Sequence, residues 1–496
     1  MTVLNMLEPF MPQLILILFA LLVPALDYLF RDKRLLAVAA LMPLVGVAAA
    51  VVAWMFLDWW TPPASSVGLV EIDLFSGLFT LVFLAVGIIV VLTSADFVRK
   101  DRNQGEYYSL ILLAVTGMTM VAEATDLFVI FVGLEIAGIS SFALSGFRKR
   151  EKRSSEAATK YFIIGGFSSA LTLFAISLFY GVAGTTSISA LGPAMDAMFS
   201  SYEGMDSVAT LATVLILAGF GFKVAAVPFH MWAPDVYEGA PTPISGLLAA
   251  ASKKMGFAAF FKVFLIGLVM TKTDWEVAVA ILAVLTMTVG NLIAVSQSNI
   301  KRMLAYSSVA QAGYLLIALP VGTQYALAGA LFHVMTHAFM KSGAFMVVAG
   351  MGASAIGERL EDFKGLGRRS PFLAIAMALF LLSLAGIPPL AGFASKFVLF
   401  SSAVYGSMDP GPSWLIWLAV AGVLNSALSL YYYARVIKYM YMDSPVSEER
   451  IRAPRWTMAA IIIALAMTVL LGVFFDATLD ICLRAAEGFA ELPLGQ

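Results

Sequence analysis

Long apolar runs separated by short polar connections recur along the whole chain. A helix crosses a bilayer with about 20 mostly apolar residues. That ruler marks about fourteen segments, near 9–30, 35–57, 72–95, 107–123, 125–147, 157–182, 207–230, 242–268, 275–297, 301–320, 323–353, 371–404, 413–441 and 457–484. The alternation of membrane β-strands is not seen. The pattern therefore predicts an all-α polytopic membrane protein. The longest polar stretch, 184–206, reads as a loop and not as a soluble domain. No basic residue precedes the first segment, which argues against a cleavable signal peptide.

Lysine and arginine sort the connections between these spans. The loops after spans one, three and five carry Arg31, Lys33 and Arg34; Arg99, Lys100 and Arg102; and the run from Arg148 to Arg153. Those after spans nine, eleven and thirteen carry Lys301 and Arg302; Lys364, Arg368 and Arg369; and Arg450, Arg452 and Arg455. The loops after spans two, four, six, ten and twelve have none, and the loop after span eight has only Lys272. Basic loops face the cytoplasm, so both termini are expected outside a prokaryotic cytoplasmic membrane. The loop after span seven breaks the rule. It should lie inside, yet its charges are Asp235 and Glu238.

Composition narrows the chemistry. The 496 residues are 60% hydrophobic and 13% charged, against about 25% charged in soluble proteins. A net charge of −1 gives no reason to expect a nucleic-acid partner. The single cysteine, Cys482, excludes a disulfide framework and any iron–sulfur cluster held by this chain alone. No cofactor or metal is expected on the chain itself.

Charges inside the spans demand a reason, because each costs roughly 2.5–3.5 kcal/mol at mid-membrane. The deep ones are Glu135, Lys223, Lys253, Lys254, Lys341 and Lys396, with Lys160 and Lys262 nearer span ends. Glu135 and one lysine could form a packing pair, but the remaining lysines exceed what packing needs. Burial disfavours a charged lysine and a nearby carboxylate favours it, so a lysine with a movable acidic partner can load and release a proton. Lysines spread over several helices could then form a relay. Lys160 is either an interfacial anchor or a functional group. Lys253 and Lys254 point about 100° apart, and Lys253 is expected to line the interior. Lys262 reads as a snorkelling anchor. His333, His337 and Lys341 form an i, i+4, i+8 stripe. Zinc binding, satisfied core histidines and a polar stripe beside water are its three alternatives, and no zinc-protease glutamate accompanies it.

Prolines interrupt span seven at Pro228 and span twelve at Pro388-Pro389, so both helices should break. Each break lies within about two turns of a lysine, Lys223 or Lys396, and paired broken helices are the usual pointer to a transport site. Those lysines are 173 residues apart. The same shift carries Lys160 to His333, Glu135 to Ser308 and Lys253 to Ser426, and lays spans four to eight on nine to thirteen. Five helices per block imply opposite orientations. The expected sections are 1–106 for helices one to three, 107–270 and 271–441 for the two inverted repeats, and 442–496 for helix fourteen.

Three stretches carry a resemblance: Arg153-Ser154-Ser155-Glu156-Ala157-Ala158-Thr159-Lys160-Tyr161-Phe162, the run from Lys223 to His230, and Trp232-Ala233-Pro234-Asp235-Val236-Tyr237-Glu238-Gly239-Ala240-Pro241-Thr242-Pro243. They resemble the antiporter-like membrane subunits of the complex I family, subunit N above all, over nearly the whole chain. The resemblance implies that Glu135 pairs with Lys223, that Lys253 continues a central hydrophilic axis, and that Lys396 lies towards the outer exit. The stripe of His333, His337 and Lys341 is more typical of the larger antiporter-like subunits, and Lys254 departs from the pattern. It also implies partner subunits, further antiporter-like ones among them, that hold the flavin, iron–sulfur clusters and quinone.

The function expected is proton translocation in the membrane arm of a redox-driven dehydrogenase, through Glu135, Lys223, Lys253 and Lys396. Lys160, Lys254, His333, His337 and Lys341 are secondary candidates. The alternatives are a cation/proton antiporter subunit not driven by redox chemistry and a structural subunit that seals the membrane arm. The electron donor and acceptor, and proton versus sodium, stay open.

Overall fold

The computed structural model describes residues 7–30, 32–57, 68–99, 101–354, 356–408, 411–445, 447 and 449–489. Arg31 and Lys100, counted above among the basic loop residues, lie outside them. Among the described residues every regular element is a helix, with three isolated β-bridges between connections. Among the described residues, twelve helices are long and apolar enough to cross a membrane. Spans eight and twelve, assembled from shorter pieces, complete the fourteen.

Spans ten (Ile300–Leu316 and Ala318–Val321) and eleven (Gln324–Gly352) are almost wholly buried, whereas span one (Met11–Leu29) and span six (Lys152–Ala183) show most of their surface. Some span starts carry side-chain caps that satisfy orphan amides. Asp73 caps span three (Leu74–Phe97) at Ser76, and Thr323 caps span eleven at Ala326.

Paired local structures bear on the repeat. Asp126 accepts from the amides of Phe128 and Val129 to start span five (Leu127–Ser145); Asn299 accepts from Lys301 and Arg302 to start span ten. Asp126 also bridges to Ser187, and Asn299 to Arg359. A Cβ on Gly117 would sit 2.6 Å from the amide of Ala137, and one on Gly290 would sit 2.6 Å from the amide of Ala310. The caps and the glycine contacts recur at 173 residues, and the bridge partners Ser187 and Arg359 at 172. Five crossings lie between the members of each pair, so they sit on opposite sides of the bundle.

The shift does not persist to the broken spans. The first half of span seven (Met205–Val224) ends on Ala225 at φ 57°, and the first half of span twelve (Pro371–Ala385) on Gly386 at φ 88°. Both are left-handed helix stops, the conformation that glycine favours. They are 161 residues apart, not 173. The first block is longer before its break, with 32 residues in span six against 29 in span eleven, and 20 in the first half-helix against 15. Lys223 therefore precedes its break, while Lys396 comes after the other. Measured from the two breaks, the position equivalent to Lys223 is Leu384, so the 173-residue spacing does not hold there.

Three further expectations are corrected. The stretch 184–206 contains a helix, Ile188–Ser201, whose Ile188, Leu191 and Met195 are buried at helical spacing. Span fourteen stops at Val473, and Phe475–Ala486 is a separate helix with Cys482 buried. Span eight is interrupted as well. Helices Thr242–Leu247 and Lys253–Lys262 are joined by a π-turn at Leu248–Ser252, and a second π-turn comes at Val263–Gly267. Such turns insert a residue and rotate the next stretch of helix, often at functional sites.

Candidate functional site

The deep charges gather at the breaks and π-turns. Lys223 occupies the last turn of its half-helix, where aligned peptide dipoles leave partial negative charge. Its ammonium donates to the Leu134 carbonyl at 3.3 Å and lies 4.0 Å from the Glu135 carboxylate. Gly138 leaves it room, since a Cβ there would sit 3.0 Å from Nζ. Glu135 is held from the other side by a hydrogen bond from Ser169 Oγ. The carboxylate thus has two neighbours, the ammonium and the hydroxyl. Its side chain keeps 26% exposure against 6% for Lys223, which gives it room to move.

Lys253 and Lys254 come directly after the first π-turn, and both are buried. Lys253 Nζ has no hydrogen-bond partner among the described residues and lies 5.4 Å over the Tyr237 ring. Lys254 donates to His337 Nδ1 at 2.6 Å, and the Ala249 carbonyl of the π-turn is 3.5 Å away. Lys254 thus makes the link to span eleven, and Lys253 makes none. The expected preference for Lys253 is therefore not supported by the bonding.

From His337 the polar set continues without an acid. Its ring is 5.7 Å from that of His333. His333 Nε2 donates to Gln311 Oε1 at 2.9 Å, and its Nδ1 accepts from Ser395 Oγ at 3.0 Å. Gln311 Nε2 donates to the Leu384 carbonyl at 3.1 Å. Lys396 donates to that same carbonyl at 2.7 Å, to the Ala385 carbonyl at 3.3 Å and to Ser426 Oγ at 3.0 Å. A lysine thus sits at the carbonyl end of the first half-helix in both broken spans. Lys396 also borders a cavity of about 490 Å³ between spans twelve and thirteen (Ile416–Tyr441). Lys341 is fully buried and bonds Ser307 on span ten, beside this route.

Two candidates lie off the axis. Lys160 is 42% exposed and pairs with Asp235 and Glu156, each at 2.7 Å. Arg302 binds Asp235 at 2.8 Å and Glu238 at 2.9 Å, while Lys301 donates to the carbonyls of Glu238 and Ala240. This clamp explains the acidic loop on the basic side, because bases from spans six and ten neutralise it. Burial pushes the Asp235 carboxyl up, but Lys160 and Arg302 hold it below its ordinary value. Lys262 is not a snorkelling anchor. It is 4% exposed and donates to the Ala124 carbonyl at 2.9 Å.

Gln311, Ser169, Ser395 and Ser426 escape a reading of the sequence, because each is a single neutral polar residue in an apolar run. A glutamine in mid-span is the one available signal. Among the described residues no group of three or more His, Cys, Asp or Glu could hold a metal.

The family model of the NADH:quinone oxidoreductase/Mrp antiporter membrane region matches residues 124–429. The chain belongs to that family. It is 46% identical over 426 residues, 84% of each chain, to the F(420)H(2) dehydrogenase subunit N of Methanosarcina mazei. It is 43% identical over 445 residues, 88% of each chain, to the NADH-quinone oxidoreductase subunit N of Trichlorobacter lovleyi. It is similar to a chain of respiratory complex I from Thermus thermophilus, with a TM-score of 0.76 and 30% identity over 95% of this chain and 99% of that one. A chain of the membrane-bound sulfane sulfur reductase, an archaeal respiratory complex, gives 0.85 and 26% over 97% and 98%. This antiporter-like membrane subunit is multi-pass, and its solved counterparts sit in multi-subunit complexes.

Proposed function

We propose that this chain is a proton-translocating subunit in the membrane arm of a redox-driven, complex I-type dehydrogenase and carries no redox centre itself. One observation carries the reading: a Glu135–Lys223 pair on one broken span and a bonded set from Lys254 and His337, and from His333 through Gln311 to Lys396, are buried in the same bundle, with Glu135 the one acid among them. In this mechanism, electron transfer in partner subunits changes a charge at the subunit interface and draws Glu135 from Lys223. The ammonium loses its counter-charge and passes its proton towards Lys253 and Lys254. His337 and His333 hand it on to Lys396, with water bridging the gaps between rings. Moving one charge against 100 mV takes about 2.3 kcal/mol. One pKa unit is worth about 1.36 kcal/mol, so swings of about two units are enough.

In this proposal the two inverted repeats, 107–270 and 271–441, each supply one broken helix, and the basic loops face the cytoplasm of a prokaryotic cell. Flavin, iron–sulfur clusters and quinone belong to partner subunits. The test is proton-to-electron stoichiometry in complexes carrying Lys223→Ala or Lys396→Ala. Normal assembly with unchanged pumping sinks the proposal. The family description also covers Mrp antiporters. Sodium- or potassium-dependent proton flux from the isolated chain in liposomes would favour that second reading.

A further inference from the structure

A second buried polar cluster lies away from this axis, on the side opposite the basic loops. It joins four spans: Gln13 of span one, Thr80 of span three, Glu123 closing span four (Gln104–Glu123) and Lys262 of span eight. All four residues are at most 4% exposed. Gln13 Nε2 donates to Glu123 Oε2 at 2.7 Å, and Lys262 is tied to the neighbouring Ala124 carbonyl. The acids whose charge acts on Lys262 are Asp73, Glu123 and Glu71.

Two polar atoms here have no partner of good geometry among the described residues. They are Gln13 Oε1 and Thr80 Oγ1, and Thr80 faces the Glu123 carboxylate. Buried oxygens left unpaired beside a carboxylate mark a place for water or a bound proton. The cluster is roofed where the connection before span three meets the end of span four. There Glu71 N–H donates to the Glu123 carbonyl at 2.8 Å, and Thr125 N–H donates to the Leu69 carbonyl at 3.0 Å. The acids rise through this roof in order of exposure: Glu123 buried, Asp73 half-buried, Glu71 exposed.

We infer that Lys262 and Glu123 form a hydrated proton-release gate that hands protons by way of Asp73 and Glu71 to the side opposite the basic loops. Gln13 and Thr80 are positioning residues that hold the carboxylate and its water. Lys262 lies nine residues beyond Lys253 on the same interrupted span, about 13.5 Å along it at 1.5 Å per residue, so in this inference water bridges the two. The inference rests on proton transport through this chain.

The test uses the whole complex, purified on this chain and reconstituted in liposomes with a pH-sensitive dye. Lys223→Ala serves as the reference. Glu123→Gln and Lys262→Met should lower protons moved per electron to the Lys223→Ala level, while Glu123→Asp stays near the parent. Parent-level pumping in an assembled Glu123→Gln complex, with Lys223→Ala impaired, overturns the gate and leaves transport intact. Parent-level pumping in all variants overturns both. Equal impairment of Glu123→Asp and Glu123→Gln makes the cluster structural and also overturns the gate. If Glu123→Gln fails to assemble, Gln13→Leu and Thr80→Val decide. Reduced pumping in either supports the gate, and parent pumping in both overturns it.

Discussion

Lys254 and Lys160 show how differently one residue type is used. Lys254 is buried and spends its ammonium on a neutral histidine ring, a bond that survives only while one of the two carries no charge. Lys254→Met should lower protons per electron about as far as Lys223→Ala, and His337→Phe should do the same, because each cuts the one side-chain hydrogen bond between spans eight and eleven among the described residues. Proton counting in the reconstituted complex checks both. Lys160 sits in a half-exposed ion-pair clamp, where a pair is worth about 0.2–1 kcal/mol. Lys160→Met should cost stability of that order in thermal unfolding of the complex and leave pumping unchanged. Asp235 gives the clamp a pH signature. Its carboxyl is held below its ordinary value, so its contribution is present in full above about pH 4, the unfolded value. The contribution fades as pH falls through the lower folded value. Thermal stability of Asp235→Asn should therefore trail the parent by a constant margin from about pH 8 to about pH 5, and the margin should close below about pH 4. A margin that instead closed near neutral pH would mean that the clamp does not hold the carboxylate.

Helix contacts set where these residues can meet. Spans four and five, and spans nine and ten, close to backbone contact at Gly117 and Gly290, with a Cβ at either position 2.6 Å from a main-chain amide. Backbone cannot yield as a flexible side chain can, and overpacking costs about 1–3 kcal/mol. Gly117→Ala and Gly290→Ala should each reduce assembled complex and lower its melting temperature, and a variant that matches the parent would contradict the close approach. The apolar runs and the two proline breaks make this framework legible, since burial in lipid leaves few ways to write a helix. Span eight is not legible. No proline or glycine marks its first π-turn, and the run Leu248–Ser252 reads as ordinary helix. The Ile188–Ser201 helix is hidden by Gly192 and Pro193 within a polar stretch. Which of Lys253 and Lys254 meets a partner depends on helix rotation after the first π-turn. A spacing rule of about 100° per residue separates the two lysines but cannot aim either.

At the scale of the whole molecule, buried polar groups cross an apolar bundle, and two of the lysines among them lie at the two broken spans. A half-helix carbonyl end lies at each of the two breaks. Sequence offset alone equates Lys223 with Lys396, yet they approach those ends from opposite sides of the break, Lys223 from within its half-helix and Lys396 by reaching back to Leu384. In the proposed relay the two lysines therefore act in one series and not as two copies of one site. A single series has a consequence for double variants. Groups acting in series lose their function once, so combined effects are far from additive. Lys223→Ala with Lys396→Ala should lower protons per electron no further than the worse single variant. Two independent channels, one in each repeat, would instead give the sum of the two losses. Electron-transfer rate and subunit content must be matched across the three complexes, because a partly assembled arm would imitate additivity. Equality of double and worse single variant would tie both breaks to one path, and a full sum would divide the chain into two.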